Sequence, residues 1–259
     1  MADAGGGTYA AILTDLLDRG VIARDDAILV QFAGAFDEAV TARVGLTRCT
    51  FSNLAPDSPS SRLADGHGAD GRAPLRSVSR ADAHRMPYAD ASFDHVIGHA
   101  GLHHCSRPHQ ALHEMYRIAR HTVVAVENQD SPLMRLACSL GLAGVYEHDA
   151  VADGGGTTGG VDGTGTPNHV YRWTRHEVRK TVASFDPGHA VPIEFHSRWL
   201  IGSDRALTAS MRSAVGGRER VIGLLNGGLN TVARRQGNIF GFTVRKDLAV
   251  AQPWVGVPA

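Results

Sequence analysis

Cysteine is scarce in this chain: Cys49, Cys105 and Cys138 are three in 259 residues, far apart and without a CxxC spacing. An odd, scattered set argues against a disulfide scaffold and against a cysteine-built zinc centre. Charge of one sign is missing as well. Lys plus Arg balance Asp plus Glu at 26 each, so no net field draws the whole molecule toward nucleic acid or an anionic membrane. Basic and aromatic residues interleave only at Tyr171-Arg172-Trp173, too short a run for a nucleic-acid surface. No apolar stretch approaches the roughly 18 residues that cross a bilayer. The opening MADAGGGTYAAILTDLLDRG lacks a basic region followed by an apolar one, so a cytoplasmic location is expected. Neither HExxH nor GxGxxG occurs where a zinc hydrolase or a dinucleotide enzyme would carry it.

What is present is regular. The length suits one domain with a substantial core. Ile12, Leu13, Leu16 and Leu17 recur at helical spacing before Gly20, which predicts a leading helix. AILVQFAGAFDEAV then reads as strand, tight loop and helix. RCTFSNLAPD reads as a second strand ending near Leu54, and LRSVSRADA as a weaker third ending near Asp82. The span 58–74 between them, rich in Ser, Gly, Asp and Arg, predicts a loop. HVIGHAG, RPHQALHEMYRIAR and HTVVAVEN follow as strand, helix and strand. Such alternation indicates an α/β fold, a doubly wound and mainly parallel sheet covered on both faces. The second half begins with DGGGTTGGVDGTGT, 153–166, which has no apolar periodicity and predicts a mobile segment. Thr174 with Glu177 forms an apparent capping box for a helix over 173–184. IEFHSRWLI and NIFGFTVRK, separated by a glycine-interrupted helical pattern over 218–235, are two late strands that could close the sheet with an antiparallel edge.

Ligands of doubly wound sheets bind outside the carboxyl ends of the strands. Here the first such turn is Gln31-Phe32-Ala33-Gly34-Ala35-Phe36, with one glycine only. It is either a plain turn in which Gly34 supplies an unusual dihedral or a loop for a ligand without phosphates. Asn53 ends the second strand where a dinucleotide enzyme would place an acid. Its carbonyl could accept a ribose hydroxyl, or it could simply stop a strand.

The stretch 82–104 narrows these readings. Asp82-Ala83, Met86-Pro87-Tyr88, Asp90-x-Ser92-Phe93-Asp94-x-Val96-Ile97 and Leu102-His103-His104 resemble the central block of class I S-adenosylmethionine-dependent methyltransferases. There the pattern runs D-A-x-x-L-P-F-x-D-x-S-F-D-x-V and then L-H-H. The loop after the first strand, Ser52-Asn53-Leu54, and Gly159-Gly160-Val161, Pro167-Asn168 and Tyr171-Arg172-Trp173-Thr174 are similar to a small-molecule branch of that family. The resemblance covers 27–127 well and the rest loosely. It departs from the usual pattern at Ala33, where many relatives have glycine, and at Asn53, where many have an acid.

The resemblance implies a seven-stranded Rossmann-like sheet with a lid insertion after the fifth strand, and S-adenosylmethionine as cofactor. It implies one domain over 1–259: a helical cover at 1–24, a cofactor-binding core at 25–130, a lid at 131–185 and the sheet's completion at 186–259. Phe32, Ala33, Gly34 and Asp37 would face the cofactor's methionine part, Asn53 and Leu54 its ribose and adenine edge, and Asp82, Ala83 and His84 the adenine. His99 would lie beside the sulfonium. Phe93, Leu102 and Trp173 read as packing, and Asp94 as holding a turn.

In-line methyl transfer asks a protein mostly for alignment and exclusion of water, and a hydroxyl acceptor also needs a proton acceptor. Fourteen histidines are available. His103 and His104 follow the fourth strand and could take that proton or orient the loop. Glu127 could act as base or be a surface carboxylate. Tyr9, Asn128, His169 and Tyr171 are candidate acceptor contacts. His99 with His103, and His109 with His113, have i, i+4 spacing, but the first pair straddles a strand end and the second sits on a surface helix, so no metal is expected. The expected activity is methylation of an oxygen, before nitrogen or carbon, of a small organic acceptor such as a sugar or secondary metabolite. No nucleic-acid or membrane partner is expected, and a homodimer is compatible. A non-catalytic nucleoside-cofactor-binding protein and a NAD-dependent oxidoreductase remain as alternatives.

Overall fold

A computed structural model of the chain describes residues 6–54, 77–201 and 218–256. A first helix, α1 (Gly6–Asp18), precedes strand β1 (Ile28–Gln31) and helix α2 (Ala35–Val44). Strands β2 (Cys49–Asn53), β3 (Ser77–Arg80) and β4 (Phe93–His99) lead to helix α3 (Pro108–Ile118) and strand β5 (Ala119–Asn128). Helices α4 (Pro132–Ser139), α5 (His148–Asp153) and α6 (Arg175–Phe185) follow, then β6 (His189–Ala190), β7 (Ile193–Arg198), α7 (Arg218–Val232), β8 (Ile239–Arg245) and β9 (Val250–Ala251). The loop expected over 58–74 lies outside the described residues.

The main sheet has the order β3-β2-β1-β4-β5-β8-β7. Pairings from β3 through β5 are parallel, while β8 is antiparallel to both of its neighbours. The antiparallel strand is therefore inside the sheet. The edge strand β7 runs with the parallel set, because it is antiparallel to β8 and β8 is antiparallel to β5. Strand order reverses at β1, which has β2 on one side and β4 on the other, so the loops after β1 and β4 part and leave a crevice at their carboxyl ends.

Period-two alternation explains the two cores. Ile28, Val30, Phe51, Ile97 and Val124 face α1 and α2, packing on Tyr9, Leu13, Leu16 and Val40. Leu29, Val96, Val123, Phe240 and Phe242 face α3 and α6, meeting Leu112, Met115, Trp173 and Val178. Burial of both faces accounts for the near-continuous apolar runs in the central strands. Leu102 and Trp173 are fully buried as expected. Asp94 accepts the Ala27 N–H and pairs with Arg120, pinning the start of β1 to β4.

The capping box forms as its sequence indicates: Thr174 Oγ1 accepts the Glu177 N–H, and Glu177 reaches back to the Thr174 N–H. Trp173 is consequently outside α6, where it bridges to Gln129 in extended conformation. The segment 153–166, expected to be mobile, is folded. Gly155, Gly156, Gly159 and Gly163 take positive φ, a single 3-10 turn spans Val161–Gly163, and the Val161 N–H bonds to the Thr166 carbonyl. Its glycines serve left-handed turns that other residues rarely adopt. Among the described residues no helix is long and apolar enough to cross a membrane.

Candidate active site

The crevice after β1 is lined by aromatic rings and one buried acid. Phe32 sits at φ +63°, a conformation that usually selects glycine. Its ring lies against the backbone of β4 and the following loop, so that a Cβ on Gly101 would stand 2.0 Å from it. Gly101 is glycine because the Phe32 ring takes that space. Asp37, in the first turn of α2, accepts the Gly34 N–H at 3.0 Å. Its other oxygen is buried and unpartnered, 3.7 Å from His99 Nδ1. Burial pushes the Asp37 carboxyl up to about 7 and, by the same loss of hydration, pulls His99 down to about 4. His99 is therefore neutral. It stacks on Tyr9 with centroids 4.8 Å apart and packs against Phe36 at 5.0 Å. The Tyr9 hydroxyl is buried without a partner.

Around this crevice the remaining edge residues have partners of their own. Asn53 donates to the Ala33 carbonyl at 2.9 Å and accepts the Leu54 N–H, tying the end of β2 to the loop after β1. Asp82 accepts the His84 backbone N–H and the His84 Nδ1–H, while His84 Nε2 accepts the Arg107 N–H. His84 is buried and joins the loop after β3 to the start of α3. Ala83 packs in the core. The tip of the glycine-rich segment closes over this edge: Asp162 accepts the Ser106 N–H at 3.0 Å and lies 3.8 Å from His84 Nε2.

A second cluster is built on the 3-10 turn Leu102–His104. Glu127, at the end of β5, is 3% exposed. Its Oε1 accepts the Gly101 and Leu102 N–H groups, and its Oε2 meets His103 Nδ1 at 2.7 Å. Burial would raise the Glu127 carboxyl, but the His103 charge and these donors hold it below the ordinary value. Burial would lower His103, yet Glu127 and then Glu147 push it up to about 10. His103 Nε2 and His104 Nε2 each lie 3.4 Å from Glu147 Oε2. Asn168 binds this cluster together, donating to the His103 carbonyl while its own carbonyl takes the Glu147 N–H.

Beside the turn opens a cleft of about 670 Å³ whose walls include His103, Cys105, His109, Asn168, His169 and Tyr171. The Tyr171 hydroxyl is bonded to Glu177 near His109, and Trp173 packs edge-on behind them. The sequence candidates thus fall into two neighbouring groups, with the end of β4 supplying His99 to the crevice and the turn after it supplying His103 to the cleft. Asn128 does not line the cleft, and its backbone carbonyl takes the Trp173 N–H. Glu147 and Asp162 have no place among the candidates, and His109 enters only as half of an i, i+4 pair. Only tertiary approach selects Glu147, which meets histidines more than forty positions earlier in the chain. Asn168 belongs to a block that the family resemblance had marked.

Residues 40–126 match the family model described as a methyltransferase domain. That third of the chain is a methyltransferase domain. S-adenosylmethionine is the cofactor that the resemblance over 82–104 implies for it. Among solved structures, this methyltransferase is similar to the YcgJ protein of Bacillus subtilis, with TM-score 0.56 and 14% identity over 92% of this chain and 98% of that one. It is also similar to magnesium protoporphyrin IX methyltransferase from Synechocystis with bound S-adenosylhomocysteine, with TM-score 0.53 and 10% identity over 93% and 84%. A third is an S-adenosylmethionine-dependent methyltransferase from Mesorhizobium loti, with TM-score 0.50 and 12% identity over 88% and 95%. At these identities the likeness establishes the methyltransferase's fold. No curated protein matches it.

The residues at the crevice fit such a cofactor. A donor bearing an ammonium and a sulfonium needs anionic and aromatic surroundings. Asp37 offers a buried, unpartnered oxygen there, and the partly buried Phe36 and His99 offer rings, with Tyr9 stacked behind His99.

Proposed function

We propose that this methyltransferase moves the methyl group to an oxygen of a small organic acceptor, of the size of a sugar or a secondary metabolite, held in the cleft beside His103. The observation that carries the reading is the end of β4 with the loop after it, where His99 faces the crevice while His103 and Cys105 face the cleft. Donor and acceptor sites on two sides of one short segment are what alignment of an in-line transfer requires. A cleft of this volume matches a small ligand better than a flat macromolecular surface.

S-adenosylmethionine supplies an electrophilic methyl group on a sulfonium. Phe32, Ala33, Gly34, Asp37 and His99 hold its methionine end, Asn53 and Leu54 its ribose edge, and Asp82, Ala83 and His84 its base. Neutral His99 keeps a second positive charge away from the sulfonium. Asp162 ties the glycine-rich segment down and excludes water from the edge. Glu127, buried and ion-paired, positions His103 and does not itself take the acceptor's proton. His169 and Tyr171 contact the acceptor from the lid side.

Calorimetric titration tests the donor half, with NAD as control. S-adenosylmethionine and S-adenosylhomocysteine should bind at micromolar concentration, NAD should not, and Asp37→Asn should weaken S-adenosylmethionine at least tenfold. Transfer of labelled methyl to a panel of hydroxyl, amine and carbon acceptors tests the other half. Labelling of amines alone would refute the oxygen assignment, and absence of homocysteine-nucleoside binding would refute the cofactor site.

A further inference from the structure

We propose that His103, His104 and Glu147 form a binding site for a divalent first-row transition ion at the wall of the acceptor cleft. Among the described residues these three are the one group of His, Cys, Asp and Glu whose ligand atoms converge, all within 4.8 Å of one another. Both imidazole Nε2 atoms stand 3.4 Å from the same carboxylate oxygen. That is too long for a good hydrogen bond. It matches the edge of a tetrahedron, about 3.4 Å, whose vertices lie about 2.0–2.1 Å from a central zinc.

The surroundings are those of a metal ligand set. His103 Nδ1 is held by Glu127 at 2.7 Å, the carboxylate–histidine arrangement that fixes a ligating ring and raises its basicity. Glu127 is fixed in turn by two backbone N–H groups. Asn168, itself 2% exposed, holds both ligand carriers, and its side-chain oxygen is buried without a partner. Consecutive residues supply the two rings, with centroids 4.5 Å apart. Two imidazoles and one carboxylate select zinc-like ions over magnesium or calcium, which prefer oxygen throughout. Three protein ligands leave a fourth position, and His103 and Asn168 both line the cleft, so that position opens toward the acceptor.

This inference rests on the proposed acceptor cleft and deepens it. An ion there lowers the pKa of an acceptor hydroxyl, as zinc does for water. The hydroxyl proton then leaves to water, an oxygen electron pair forms the new C–O bond, and the C–S pair departs with sulfur. No side-chain base is needed.

The test uses tag-free full-length protein, stripped by chelator and dialysed. Zinc is titrated by calorimetry with magnesium as control, and cobalt(II) is read by visible absorption. One zinc per chain at micromolar affinity or better, with tetrahedral cobalt bands, is expected. His104→Gln and Glu147→Gln should each weaken zinc at least 100-fold, and Glu127→Gln 10- to 100-fold. Thermal melts and S-adenosylhomocysteine affinity, measured on the same variants, should stay close to wild type for His104→Gln and Glu147→Gln. Substoichiometric zinc, or equal affinity in wild type and His104→Gln, overturns the site. If S-adenosylhomocysteine binds and zinc does not, only this inference fails; the converse result removes the cofactor reading and leaves the metal site standing.

Discussion

Asp37 shows how one buried group couples the crevice to pH. Its folded pKa of about 7 lies above its ordinary 3.8, so between those values the folded chain holds a proton that the unfolded chain has released. The stability linked to it is fully present below about pH 4 and is lost as pH rises through about 7. Asp37→Asn, which keeps an acceptor for the Gly34 N–H, should match wild type near pH 4. It should exceed wild type by roughly 2–4 kcal/mol at pH 8, read from urea melts; a gap independent of pH would refute this origin. Phe32 and Gly101 make a second residue-scale case. Gly101→Ala should cost about 1–3 kcal/mol by overpacking against the ring. In a Phe32→Ala background that cost should shrink, giving a double-mutant coupling of the kind expected between contacting residues. Asp37 was nameable from its place after the loop, but its titration was not, since burial depends on what α1 lays over it.

At the scale of elements, α6 and the glycine-rich tip respond to different forces. Thr174→Ala removes the cap of α6 and should cost about 1 kcal/mol, measurable as a lower urea midpoint with unchanged slope. Asp162 holds the tip through the Ser106 N–H. Asp162→Ala should therefore speed proteolysis within 153–166 with little change in melting temperature, whereas Asp162→Asn, still an acceptor, should cleave at the wild-type rate. The capping box was legible because its two residues are three apart and satisfy one another locally. The folding of 153–166 was not legible. Glycine and threonine give no apolar periodicity, and the contact that orders the tip comes from a loop more than fifty residues earlier.

The whole molecule is closed by β8, which lies between β5 and β7 and carries Phe240 and Phe242 into the core shared with α3 and α6. Because this strand joins the last segment of the chain to the first parallel unit, unfolding should be one cooperative transition by circular dichroism and tryptophan fluorescence alike. Two separated transitions would show that 186–259 folds on its own and would refute the single-domain reading. Sequence by itself determined the alternation of strands and helices, the crevice after β1 and β4, and the family block over 82–104, because periodicity and short-range spacing are local properties. Only the tertiary structure decided that β8 enters the sheet interior and that Glu127 is buried under His103. It alone brought Glu147 to a pair of histidines far from it in sequence. Those outcomes depend on which distant segments meet, and the energies that select them, burial and charge pairing across the fold, leave no repeat along the chain.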